Sequence, residues 1–286
     1  MSKEATIKKA NKNEIISLSK LSEKVFKKSF SQEELEWRYL QHPYLNDRPT
    51  RNFIAKIDQQ IIGHSASIPV ILQNSSKCLI KATNSVGSMV LKEHGGLFPR
   101  LLKANIESAI DDGCDLIYAF PNEKSFPFFV KLFGFTQGLF SYLSISENVL
   151  ADIKKTNIIV DITNKISNRN RSDYKKWRYE SFQKCKSVES ENLRVYFKKN
   201  KQNEYDILSI ESTNNSTIFL EELVSIMKQI NNVKQFNYLT TDREMDLSLQ
   251  SIGFKKINLN HAFVYLWLKK TFREDQLFLQ MAENDW

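Results

Sequence analysis

The chain has 286 residues, 41% of them hydrophobic and 12% aromatic, with a formal net charge of +8. That composition excludes a disordered chain, and at roughly 150 residues per domain the length allows one large or two ordinary domains. Eight glycines and six prolines are too few for a loop-rich sandwich. Cys78, Cys114 and Cys185 are isolated and odd in number, so neither a disulfide framework nor a Cys-x-x-Cys metal site is expected. Residues 1–16 are polar and charged, unlike a signal peptide, and no 18-residue apolar run occurs, which predicts a cytoplasmic chain with no membrane span. The positive charge suits anionic small molecules and nucleic acid equally.

Residues 7–30 place Ile15, Ile16, Leu18, Leu21, Val25 and Phe26 at helical spacing. Ser31 followed by Glu34 is a capping-box signal for a helix that contains Trp37-Arg38-Tyr39 and stops before His42-Pro43. Residues 51–56 and 60–70 read as a strand hairpin around Asp58-Gln59, and 77–82 lead into a central strand, 83–91. Gly95-Gly96 follow, then a helix opening at Pro99 with Leu101, Leu102, Ile106, Ala109 and Ile110 near one face and a stop at Asp111-Asp112-Gly113. A strand (115–120), Pro121-Asn122, a short helix, Phe133-Gly134-Phe135 and a strand over 135–145 complete this half. Alternating strands and helices of this kind give the fold class α/β (α+β).

The polar, lysine-rich stretch 148–172 reads as a join, although 158–162 suits a short strand. After it Trp177-Arg178-Tyr179 restates Trp37-Arg38-Tyr39. Strands at 193–198 and 205–211 follow, then a helix (217–230), a strand (235–241), a helix (242–251) and Gly253-Phe254, which restates Gly134-Phe135. A last strand (261–269) precedes a charged tail. Two matching punctuation marks with similar elements between them indicate a degenerate internal duplication, against the plain alternative of a chance three-residue repeat. Where the first copy has Gly95-Gly96, the second has the Ser-Thr-Asn-Asn-Ser-Thr run of 212–217. That run caps a helix but offers no glycine for close backbone approach, so only the first copy is expected to bind phosphates.

Glycine lets backbone N–H groups approach an anion, and the following helix directs its unpaired N–H groups and positive dipole end at the same spot. With Pro99 in the first turn, the arrangement is a phosphate cradle at a helix N-terminus, although a glycine pair also makes ordinary tight turns. The order of strand, glycine turn, helix, strand, Pro-Asn, short helix and Gly-Phe resembles the acyl-CoA-binding half of the GNAT acyltransferase superfamily. The usual Arg/Gln-x-x-Gly-x-Gly/Ala turn corresponds to Glu93-His94-Gly95-Gly96-Leu97-Phe98, shifted and without the leading arginine. Asn122 and Phe133-Gly134-Phe135 match better. The Trp-Arg-Tyr…His-Pro opening and Phe120-Pro121-Asn122 with Ser125 look like bacterial acyltransferases of surface-polysaccharide biosynthesis. Those enzymes acylate amino sugars, often on a nucleotide carrier.

The resemblance implies two GNAT-like domains. Residues 1–147 would bind acyl-CoA, and 148–286, degenerate, would form one wall of the substrate cleft. Each is expected to be a mixed, mostly antiparallel sheet flanked by helices. Backbone groups of Met89, Val90 and Leu91 would bond the pantetheine arm, and the N–H groups of Gly95, Gly96, Leu97 and Phe98 the pyrophosphate. His94 and Arg100 would face the phosphates, and Asn122 the cofactor arm. Lys103 reads as helix solvation. The family's general-acid tyrosine corresponds to Phe129, which has no proton to give. His64, Ser85 or Ser88 through water, and His94 are the candidates for general base, with a structural histidine on a strand as the alternative for His64 and cofactor binding as the better role for His94. Arg38 and Arg178 are candidates for an anionic nucleotide substrate, or else mark a packing corner. Acyl-CoA and a nucleotide-linked amino sugar are the expected small-molecule partners, with no metal and no nucleic acid, and the oligomeric state open. A Fem-type transferase using aminoacyl-tRNA and a non-catalytic GNAT-like scaffold are the competing readings, motivated by the missing arginine and tyrosine.

Overall fold

The computed structural model describes residues 4–44, 50–73, 78–154, 156–161, 167–168, 172–181, 185–200, 203–213, 217–259 and 261–269. The first half runs β1 (Thr6–Lys9), α1 (Lys12–Ile16), α2 (Leu18–Phe26), α3 (Gln32–Tyr39), β2 (Arg51–Ile57), β3 (Gln60–Gln73), β4 (Leu79–Val90), α4 (Leu97–Asp111), β5 (Leu116–Ala119) and β6 (Thr136–Gly138). Then come β7 (Ser141–Ser146), α5 (Glu147–Asp152), β8 (Ile159–Asp161), β9 (Ser167–Asn168), α6 (Ser172–Lys175), β10 (Lys186–Glu189), β11 (Leu193–Lys199) and β12 (Glu204–Ser212). The chain closes with β13 (Thr217–Phe219), α7 (Leu220–Lys228), β14 (Gln235–Thr240), α8 (Arg243–Ser251), β15 (Lys255–Lys256) and β16 (Phe263–Trp267). Residues 214–216 of the expected capping run, and the charged tail from 270 onward, lie outside the described residues.

Local chemistry explains most of these boundaries. Ser31 caps α3 through the Glu34 N–H at 3.0 Å, as the sequence predicts. Asp58, at φ 52°, makes the turn between β2 and β3. Three expectations are corrected. The helix expected over 217–230 behind a capping run starts only at Leu220, with Phe219 as N-cap and no side-chain cap among the described residues, because Thr217–Phe219 form strand β13 against β8. The helix expected over 7–30 begins instead with strand β1, which pairs antiparallel with β2 from Thr6↔Lys56 to Lys9↔Phe53. The strand expected over 135–145 is two strands that part company between Gly138 and Ser141 and enter different sheets.

That parting governs the architecture. The first sheet has the order β1-β2-β3-β4-β5-β16-β6, with β9 added beside β3, and the second β10-β11-β12-β14-β7-β15. Each has one parallel pair, β4–β5 in the first and β12–β14 in the second, among otherwise antiparallel neighbours. The last strand, β16, therefore sits inside the first sheet between β5 and β6, while β7 sits inside the second between β14 and β15. The two halves have exchanged strands. A boundary at 147/148 is crossed by both sheets, so it does not separate two self-contained units.

The repeated Trp-Arg-Tyr segments meet where the halves join. The Trp37 and Trp177 indoles stack with centroids 4.9 Å apart and planes 18° from parallel, and each indole N–H donates to the other tryptophan's carbonyl at 2.9 Å. This reciprocity is what two related elements produce about a local two-fold. Tyr39 packs edge-on against His64 of β3, and Tyr179 stacks on Tyr196 of β11 at 4.0 Å, so each tyrosine is held by a strand of its own half's sheet. Among the described residues no helix is long and apolar enough to cross a membrane.

Candidate active site

β4 and β5 pair in parallel only from Ala82↔Leu116 to Ser85↔Ala119. β5 ends there, while β4 continues to Val90, still paired with β3 at Val86, Met89 and Val90. The strands part like the arms of a V. Peptide groups on the β5 side of residues 86–90 therefore lose their ladder partner in the middle of a sheet, and backbone groups in that position require a partner from elsewhere. The β3–β4 register also jumps between His64 and Ala66, leaving Gly87 and Ser88 in a bulge. Gly87 adopts φ 62°, and a Cβ built there would overlap the Tyr39 hydroxyl, so this position requires glycine twice over.

The arm of the V formed by β4 leads into a single 3₁₀ turn, Lys92–His94, and the exposed pair Gly95-Gly96 ahead of α4. No side chain among the described residues caps α4. Gly95 and Gly96 have φ of −51° and −63°, which any residue adopts, and a Cβ on Gly96 meets nothing within 4 Å. The fold itself thus does not demand glycine at 96. What glycine leaves open is the space over the helix N-terminus. The Gly95 N–H donates to the Lys92 carbonyl at 3.4 Å and the Phe98 N–H to the Gly95 carbonyl at 3.2 Å, so those two expected donors are spent internally. The Gly96 and Leu97 N–H groups have no partner among the described residues and carry the positive end of α4. Phe98 contributes instead through its ring, packed on Phe128 and Phe129. The half-buried His94 lies in the same turn. Arg100 is exposed and sits 3.9 Å from Glu4, a pair of little energetic weight.

The candidate bases occupy different places. Ser85 is the last residue of β4 paired to β5, and its Oγ is buried with no hydrogen-bond partner among the described residues. An orphaned buried hydroxyl costs about 1–3 kcal/mol, so a group that reaches the apex of the V finds a partner waiting. Ser88 Oγ lies 3.2 Å from Ser65 Oγ, which accepts from Asn105 Nδ2 at 2.9 Å, while Asn105 Oδ1 accepts from Ser67 at 3.2 Å. This chain bolts α4 to β3 and the bulge. Met89 and Leu91 point their side chains into the core, and Val90 is half-buried, so only their backbones face the V.

His64 is corrected from base to scaffold. It is fully buried, where no substrate amine comes within hydrogen-bond reach. Its Nδ1 is 2.8 Å from the Gly87 carbonyl, which only accepts, so Nδ1 carries the proton, and Nε2 lies 3.1 Å from the Asn52 side chain. The imidazole therefore pins the bulge. Burial pushes its pKa from 6.5 down to about 4, against the pull of the Gly87 bond and with help from the charge of Arg38. The unfolded chain takes up this proton below pH 6.5 and the folded chain only near pH 4, so stability is full above 6.5 and falls as pH drops through that window. The loss amounts to about 3 kcal/mol by pH 4. Denaturant titrations between pH 7 and 4 should show this slope, and His64→Gln should flatten it.

Arg38 and Arg178 are likewise corrected. Both are buried at the junction, Arg38 bonded to Glu34 at 3.3 Å and lying over Phe30, Arg178 lying over Trp37 and Trp177. They form the packing corner. Asn122 leaves β5 as expected, but its Oδ1 accepts from the Lys124 and Ser125 N–H groups and from the Ser125 hydroxyl at 3.0–3.1 Å. It caps the turn leading into the π-helical segment Phe128–Leu132. Phe129 is buried against Phe98 and Phe135. The face of the V away from α4 is walled by the second half, where Phe120 and Phe140 pack with Tyr142, Tyr179, Tyr196, Leu208 and Leu239.

The sequence pattern does not single out His261, which the structure places at the end of β5. The final strand's approach forms a bridge, Asn122↔His261, just where β5 ends. Only knowledge of the strand exchange brings these two positions together.

No protein-family model and no curated protein matches the chain. Solved structures do. A protein of unknown function from Enterococcus faecalis described as a probable N-acyltransferase matches with a TM-score of 0.66 at 14% identity, over 93% of this chain and 73% of that one. A GCN5-related N-acetyltransferase from Kribbella flavida gives 0.63 at 8% identity, over 93% and 71%. A putative acetyltransferase from Pyrococcus horikoshii gives 0.60 at 10%, over 95% and 92%. The chain therefore has the fold of the GCN5-related N-acetyltransferases, with mostly antiparallel sheets flanked by helices.

Proposed function

We propose that this protein is an N-acyltransferase that moves an acyl group from coenzyme A thioester to an amine by direct attack in a ternary complex. The observation that carries the reading is the continuity from the orphaned Ser85 hydroxyl, along the unpartnered edge of residues 86–90, to the unpaired N–H groups of Gly96 and Leu97. An extended, amide-bearing arm ending in a pyrophosphate satisfies each of these groups in turn, and holding it there supplies the orientation that the attack requires. For the acceptor we favour an amino sugar carried on a nucleotide, used in surface-polysaccharide assembly. Support comes from the resemblance of the Trp-Arg-Tyr…His-Pro and Phe120–Ser125 residues to such enzymes, and from the net charge of +8. With Arg38 and Arg178 buried, the nucleotide's charge falls to other basic groups.

Gly96→Ala tests the cradle. The new Cβ meets no protein atom, and φ −63° suits alanine, so the unliganded protein should be equally stable or gain about 0.4–1 kcal/mol. Acyl-CoA at ~100 times its Kd should stabilise the wild type by about 2.7 kcal/mol, and a tenfold loss of affinity in the variant removes about 1.4 of that. Thermal shifts with acetyl-CoA, longer acyl-CoAs and free CoA, each with and without sugar nucleotides, read both effects. No shift with any of them overturns the proposal, and binding of aminoacyl-tRNA in its place would move the reading to a Fem-type transferase.

A further inference from the structure

His261 reaches the end of β5, one arm of the V, from the other half of the chain. Its bridge to Asn122 and the Ala262 N–H to Pro121 carbonyl bond at 2.9 Å fix it beside the point where β5 stops. Side chains alternate along β16. Val264 packs in the cluster under α4 with Leu102, Ile106 and Phe129, whereas Phe263 and Tyr265 pack with Tyr118 on the opposite face, against Phe120 and Phe140. His261 shares the parity of Phe263 and Tyr265 and so lies on the face away from α4. That is the face an acceptor must use, because α4 and the π-helical segment cover the other.

We infer that His261 is the general base of the acyl transfer, delivered to the first sheet's site by the exchanged strand of the second half. The inference rests on the acyltransferase reading above. His261 Nδ1 lies 3.4 Å from the Phe120 carbonyl, which only accepts, so Nδ1 carries the proton and Nε2 is the ring's lone-pair nitrogen. The ring is half-buried rather than sealed in, and burial lowers its pKa against the pull of the Phe120 carbonyl, which keeps it in the base form at neutral pH. The titratable groups on the adjoining segments are Glu123 and Lys124 past the bridge and Tyr118 and Tyr265 in β5 and β16. The other described histidines are placed differently. His42 and His64 are buried in packed clusters and His94 stands in the glycine turn. In the step, the amine nitrogen bonds to the thioester carbonyl carbon, the C–S bond breaks, Nε2 takes the amine proton, and that proton is returned to the departing CoA thiolate. Amide and free thiol are the products.

The test compares wild type, His261→Gln and His261→Asn in a thiol-release assay with acetyl-CoA and an amine acceptor, across pH 5–9. Thermal shift with acetyl-CoA is measured in parallel. The expected result is an unchanged acetyl-CoA shift in both variants, a kcat reduced about 10²–10⁴-fold, and loss of the acidic limb of the kcat/KM profile. Variants that keep wild-type kcat and the same acidic limb overturn the inference. So do variants that lose the acetyl-CoA shift, which would make His261 a positioning residue of the strand end. Should a variant not fold, the wild-type profile still decides, because an acidic limb absent below the ordinary histidine range leaves no histidine base. Failure of the acyltransferase reading is distinct, since then the wild type itself shows neither shift nor thiol release.

Discussion

Residues 1–147 expressed alone should not fold. In the intact chain β16 fills the place between β5 and β6, and its Phe263, Val264 and Tyr265 are buried in the core of the first half. Removing it opens two strand edges and deletes three large core side chains, each worth about 2–5 kcal/mol, against a total stability of about 5–15 kcal/mol. The same fragment carries β7 with no sheet to enter, leaving Leu143 and Ile145 exposed. Residues 148–286 fail for the mirrored reason, lacking the strand between β14 and β15. Co-expression of the two pieces supplies every strand and should restore a soluble complex with one cooperative melt. A cooperative unfolding transition in the 1–147 fragment alone would show that the halves are independent domains.

Trp37→Ala and Trp177→Ala should each destabilise the protein by about 3–5 kcal/mol, with a further ~1–3 kcal/mol for the carbonyl that loses its indole N–H. For a chain of this size that corresponds to a fall in Tm of roughly 10 °C or more. Because the stack needs both rings while each N–H to carbonyl bond is lost with its own indole alone, the double variant should cost less than the sum of the two single ones but clearly more than either. Trp177→Phe keeps a ring for stacking but loses one N–H, and should fall between. Chemical denaturation of the four proteins measures the coupling, and strict additivity would mean that the two rings do not act as a pair.

Much of the scaffold is legible from residue pattern. The hairpin about Asp58, the amphipathic α4 and the capped α3 follow from alternation, 3.6-residue spacing and a capping box, all local signals. The strand exchange does not. Residues 263–267 show a strand buried on both faces, since Phe263 and Val264 are both core, but period-two alternation names faces and not partners. The run from Thr136 to Ser146 reads as one strand because the parting at 139–140 has no proline or turn pair to mark it. Strand β1, Thr6–Lys9, is too short and too polar to show a period. Arg38 and Arg178 read as partners for an anionic substrate or as a packing corner, and the repeated tryptophan beside each favours the corner, since a self-complementary stack needs two copies of one residue. The glycine turn and Asn122 stand out by motif, whereas the neighbourhood of His261 and Asn122 is visible only when residues from opposite ends of the chain are set side by side.

Amide hydrogen exchange with and without acetyl-CoA tests the central claim most directly, because it reads the backbone groups said to hold the ligand. Protection should appear along residues 86–98, strongest at Gly96 and Leu97, and near residues 120–122, with little change at the second parallel pair, β12 and β14. Binding that protects β12–β14 while leaving residues 86–98 unchanged would contradict the account, as would no protection anywhere at saturating acetyl-CoA.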